Sequence, residues 1–118
     1  MRTIMVYYRD NSEVSLQAIK WLKSHNCTIQ LRKISTITHR EIFQLIYLSE
    51  LDIPDILNKT NKFSFFAQKK KNKLSCLRFS DGLSFLERHP ELLQDPIILS
   101  NKYSLIGFNE QKIQGFLQ

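Results

Sequence analysis

Tyr7-Tyr8-Arg9-Asp10-Asn11-Ser12-Glu13-Val14-Ser15 is the stretch on which the fold of this chain turns. Ahead of it, Thr3-Ile4-Met5-Val6-Tyr7-Tyr8 is β-branched and aromatic, the composition of a buried strand. Behind it, Val14, Ala18, Ile19, Trp21 and Leu22 recur at helical spacing. The polar residues between must carry the chain from strand to helix. In an α/β fold such a turn lies at the carboxyl end of a strand, where sites are usually built. Ser12 stands at the helix start, either as a cap accepting from a backbone N–H or beside free N–H groups forming a weak anion site.

Reading outward, Lys23-Ser24-His25-Asn26 is a polar exit from the helix, and Thr28–Ile34 suggests a second strand at a sheet edge. The right-handed crossover rule makes it parallel to the first. Cys27 opens that strand as a small buried or half-buried thiol. Thr38 and Glu41 form a capping-box pattern, followed by Ile42, Leu45 and Ile46, with Phe43 at the margin, in a helix to about Leu48. A short helix is expected after Asp52, with Pro54 in its first turn and Ile56 and Leu57 inward. Over 61–68 the aromatic Phe63, Phe65 and Phe66 predict a helical turn or two. A solvated loop holding Lys69–Lys73 follows, then a return to the core at Leu74, Leu77 and Phe79. Ser80-Asp81-Gly82 opens a helix with Leu83, Phe85 and Leu86 inward, ending near His89-Pro90. Pro96-Ile97-Ile98-Leu99 and Tyr103–Phe108 read as a hairpin across Ser100-Asn101-Lys102. Asn109 caps a last helix packing Ile113, Phe116 and Leu117. The order β-α-β, helices, β-β-α predicts a thioredoxin-like α/β domain. Its core is expected at about 1–35 and 94–118, with a helical insert at about 36–93.

The 118 residues suit one domain, and 42% apolar with 24% charged residues is ordinary globular composition. No apolar run approaches the roughly 20 residues of a membrane helix. The start lacks a signal-peptide pattern, and two cysteines far apart do not suggest a disulfide framework, so a reducing cytoplasm is expected. The histidines His25, His39 and His89 show no metal-ligand spacing, and no metal or cofactor is expected. Charge is unevenly placed. Residues 56–80 hold seven cations and no acid, against +6 for the whole chain. A partner drawn by charge meets this segment first, although a lysine run is also the ordinary content of a solvated surface.

With these residues in view, the chain resembles the arsenate reductase-like (ArsC) family, and within it the Spx transcriptional regulators. The resemblance rests on His89-Pro90-Glu91-Leu92-Leu93-Gln94-Asp95-Pro96-Ile97-Ile98-Leu99, on Gly107-Phe108-Asn109-Glu110, and on Ile113 with Phe116-Leu117. Val6-Tyr7, Lys20-Trp21-Leu22 and His25 agree with it at the amino-terminal end. The family's cysteines, the nucleophile or redox switch, fall on Ser12 and Ser15. Its oxyanion arginine falls on Thr60, with Lys59 and Lys62 nearby, and a second arginine falls on Asp95, which would repel an oxyanion. Pro96 is expected to be the cis-proline beside the site. A glycine implicated in polymerase contact falls on Asp52.

A serine hydroxyl has no accessible thiolate chemistry near neutral pH, so these changes imply a degenerate redox site and no enzyme. The resemblance then implies a regulator that binds RNA polymerase through its α-subunit carboxyl-terminal domain. Tyr8, Arg9, Asp52, Lys59 and Lys62 are the candidate partner-binding residues. The alternatives are a thiol oxidoreductase homologue of the arsenate reductases and a basic nucleic-acid-binding module using the lysines at 59–78.

Overall fold

Ile4–Tyr8 forms strand β1, and three strands join it: β2 (Ile29–Lys33), β3 (Ile97–Leu99) and β4 (Ser104–Ile106). The sheet has the order β2-β1-β3-β4, with β1 parallel to β2 and antiparallel to β3, and β3 antiparallel to β4. This computed structural model describes residues 3–58 and 65–117, with side chains from residue 68 onward in the second stretch. Of the expected helical turn over 61–68, residues 65–68 are helical, whereas residues 61–64 and the burial of Phe63, Phe65 and Phe66 lie outside what is described. The helices are α1 (Glu13–Ser24), α2 (His39–Ser49), α3 (Ile53–Ile56), α4 (Phe65–Ser75) and α5 (Phe79–Arg88), with a closing 3₁₀ turn at Lys112–Leu117.

Strand alternation divides the core in two. Ile4 and Val6 of β1, Ile98 and Leu105 face Ala18, Ile19 and Leu22 of α1 and Ile113 of the closing turn. Tyr7, Ile97 and Leu99 face the other way, onto Ile42 and Leu45 of α2, Ile56, Leu74, and Leu83 and Leu86 of α5. One face therefore packs the first and last helical segments, and the other packs α2 to α5. The caps agree with the local sequence. Thr38 and Glu41 close a capping box on α2, and Asp52 and Asp55 do the same on α3.

Several expectations are corrected. The Lys69–Lys73 run is helical, inside α4, and not a solvated loop. Lysine is a good helix former, and Leu74, 4% exposed, anchors the helix to the core. Phe79 does not return to the core: it is the first residue of α5, whose buried stripe is Gly82, Leu83, Phe85 and Leu86. Gly82 lets that helix approach closely, since a Cβ there would lie 2.9 Å from Ile53 Cδ1. Phe43 lies on the outward side of α2, because Ile42 and Leu45 take the inward one. Leu117, expected to pack, is exposed, and the last helix is 3₁₀ throughout.

Candidate functional site

The turn after β1 is tight, with Ser12 N–H donating to Arg9 O at 3.2 Å. Ser12 caps α1, its hydroxyl accepting from Ser15 N–H at 3.2 Å. Ser15 is fully buried in the first turn of that helix. Its Oγ accepts from Arg9 N–H at 3.3 Å and donates to Asp95 Oδ2 at 2.6 Å. Asp95 arrives from the far end of the chain, held by the cis peptide bond to Pro96 and the start of β3. Arg9 Nη1 donates to Asp95 Oδ1 at 2.8 Å and to Leu93 O at 2.7 Å, while Nη2 donates to Pro90 O at 2.6 Å. Gly107, at φ 77°, closes the floor through its N–H to Pro96 O at 2.8 Å.

The arrangement is electrically closed. The Arg9 and Asp95 side chains are only 27% and 16% exposed. Burial acts to raise the Asp95 carboxyl, but bonds from Ser12, Ser15 and Arg9, with the Arg9 charge, outweigh it. The pKa is held below the ordinary aspartate range. The repulsion expected of Asp95 toward an oxyanion is thus largely cancelled by Arg9. What faces an incoming anion is a resident carboxylate already using the donors at the amino end of α1. Chemically, Asp95 is a weak base, and the Ser15 proton is committed to it.

The structure brings Ser12, Ser15, Asp95 and Pro96 together, as the family resemblance implies, and adds Arg9. Arg9 stands among the candidate partner-binding residues, yet its guanidinium points inward onto three acceptors. An opposite-charge pair 86 positions apart leaves no local signal. Gln94 is a further unforeseen participant: its Nε2 donates to Asp55 O and Leu57 O, at 3.1 and 3.0 Å. That stitches α3 to the segment before Pro96. Asp52 stays outside the cluster, exposed, accepting from Ile53 N–H at 2.8 Å as the cap of α3. Tyr8 is half-buried against the α1 side of the core. Lys59, Thr60 and Lys62 lie outside the described residues. An open groove of about 920 Å³ runs beside the cluster, lined by Val14, Leu51, Asn58, Asp95 and Gly107 among others.

Both cysteines sit away from this turn. Cys27 follows α1 and is half-buried, and burial pushes its thiol pKa up. Cys76 is exposed just after α4. Among the described residues no group of three or more His, Cys, Asp or Glu is placed to hold a metal ion. No helix among them is long and apolar enough to cross a membrane. On α4, Lys70 pairs with Glu91 at 2.8 Å and Lys71 donates to Asn58 O at 2.6 Å, while Lys69 and Lys73 are exposed.

Comparison with known proteins fits this geometry. A family model described as the ArsC family matches residues 8–116. The global transcriptional regulator Spx of Streptococcus pneumoniae is 32% identical over 103 residues, 86% of this chain and 75% of that protein. An ArsC family related protein from Bacteroides fragilis superposes with a TM-score of 0.81 at 20% identity, covering 96% of each chain. An arsenate reductase from Vibrio cholerae gives 0.74 at 14%, covering 98% of this chain and 96% of that one. At those identities the two solved structures speak to the fold alone, which is thioredoxin-like.

Proposed function

This chain belongs to the ArsC family, and from that premise we propose that it is a transcription regulator without enzymatic activity. Its partner is RNA polymerase, through the α-subunit carboxyl-terminal domain, and its place is the reducing cytoplasm. One observation carries the non-enzymatic part. In the turn where the family's thiols are expected, Ser15 is buried and its hydroxyl is donated to Asp95 at 2.6 Å. A nucleophile needs an accessible group and a base able to take its proton, and an aspartate of lowered pKa is a poor base. The regulatory part is supported by the name of the Spx relative at 32% identity. With no thiol in the turn, binding is constitutive and indifferent to oxidants.

The test is calorimetric titration of the chain with the isolated α-subunit domain, with and without hydrogen peroxide. Saturable binding, unchanged by peroxide and weakened by Lys59→Glu and Lys62→Glu, supports the reading. No binding up to about 1 mM, near −4 kcal/mol, overturns the polymerase part. Glutaredoxin-coupled arsenate reduction above the buffer blank overturns the non-enzymatic part. A second reading, direct nucleic-acid binding, is favoured by the exposed Lys69 and Lys73 one helical turn apart on α4. It predicts affinity falling with salt at a slope of about −0.9 per phosphate contacted on duplex DNA.

A further inference from the structure

Three aromatic rings stand together in solvent on the helical insert. Phe43 is 42% exposed, Tyr47 74% and Phe79 46%. Phe43 packs edge-on against Tyr47, centroids 6.1 Å apart, and against Phe79 at 6.3 Å. They form one patch across α2 and the first turn of α5. Scattered exposed apolar residues need no explanation, but clustered ones mark interaction surfaces. Arg40 lies on the same outward side of α2 as Phe43 and Tyr47, three and seven positions before them, and Arg78 directly precedes Phe79. Neither guanidinium makes a hydrogen bond or an ion pair among the described residues.

We propose that this patch is a docking surface for a protein segment presenting an apolar anchor flanked by carboxylates. Aromatic rings and arginine are the residue types that dominate the centres of protein interfaces, and the two guanidiniums, neither of them ion-paired among the described residues, set the sign of the partner. Two other occupants fit worse. A single strand of nucleic acid wants ring faces that successive bases can stack on, whereas these rings meet at 61° and 78° and share no common plane. A second copy of this chain would bring Arg40 and Arg78 against their own counterparts in a protein of net charge +6. The surface does not depend on the polymerase reading, since it uses none of the candidate residues at the redox-type turn.

The test uses the full chain and three defined probes. The first is a short fluorescent peptide with leucine and phenylalanine at helical spacing and aspartate elsewhere, the second its lysine counterpart, the third a thymidine oligonucleotide. The acidic peptide is expected to bind saturably, shifting the amide resonances of residues 40–47 and 78–80. The lysine peptide is expected not to bind. Tyr47→Ser combined with Phe79→Ser, both at exposed positions, should weaken the acidic peptide by about tenfold or more without changing the circular dichroism spectrum. Acidic-peptide binding that ignores these substitutions, or maps instead to α4, overturns the proposal. So does oligonucleotide binding that the same substitutions abolish, which assigns the patch to nucleic acid. A concentration-dependent dimer that they dissociate overturns it in favour of self-association.

Discussion

The turn from Arg9 to Ser15 and the helix α4 hold much of the polar chemistry of this chain, and they spend it in opposite directions. At the turn, Arg9, Ser12, Ser15 and Asp95 bind one another and backbone carbonyls, so a charged pair is almost silent to the outside. On α4, Lys70 and Lys71 are tied to Glu91 and Asn58, but Lys69 and Lys73 remain in water. The contrast separates scaffold from signal. A site position can keep its geometry while its charges are used up internally, and a helix whose lysines stay in water can carry the field a partner meets first. Stability should accordingly depend on the turn, and charge steering on the helix.

The strongest way to break that contrast is Arg9→Ala. It removes three donor contacts and leaves Asp95 partly buried without its counter-charge, which should cost about 2–4 kcal/mol. Urea denaturation followed by circular dichroism measures it, and a loss under about 0.5 kcal/mol would mean the pair is ornamental. Ser15→Ala comes next. It withdraws one bond from Asp95 and one from Arg9 N–H, for an expected loss of about 1–2 kcal/mol in the same assay.

Acid titration sharpens the comparison further. The Asp95 pKa is lowered on folding, so its contribution is fully present above the unfolded aspartate value of about 3.9 and fades as pH falls through the folded one. Unfolding free energies of the wild type and Asp95→Asn should therefore differ at neutral pH and converge in strong acid. A gap that stays constant down to acid pH would assign the difference to shape and not to charge. The smallest effect belongs to α4. Lys69→Glu with Lys73→Glu should move stability by no more than about 0.5 kcal/mol per site. The same pair should reduce the association rate with any acidic partner of this face, and stopped-flow at two salt concentrations reads that difference.

Much of this was legible along the chain because it is local. The capping box at Thr38 and Glu41 needs only residues three apart, and the hairpin from Ile97 to Ile106 only a polar turn between two apolar runs. Ser12 as a helix cap and the cis bond before Pro96 followed from the strand-turn-helix pattern and the family resemblance. The lysine run misled because its charge suggested a loop, although lysine propensity and the buried Leu74 favour a helix. Phe79 and Phe43 misled because hydrophobicity does not say which face of a helix is inward.

By itself the sequence determined the strands, the caps and the absence of a thiol from the turn, all properties of neighbours along the chain. The tertiary structure alone decided that Arg9 meets Asp95, that Gln94 stitches α3 to the strand entry, and that Phe43, Tyr47 and Phe79 are left outside. The reason is competition for a finite sheet face. Once Ile42, Leu45, Leu83, Phe85 and Leu86 occupy the space over Tyr7 and Ile97, the other aromatic rings of α2 and α5 stay outside. A pairing across 86 residues, in turn, exists only after the sheet has closed.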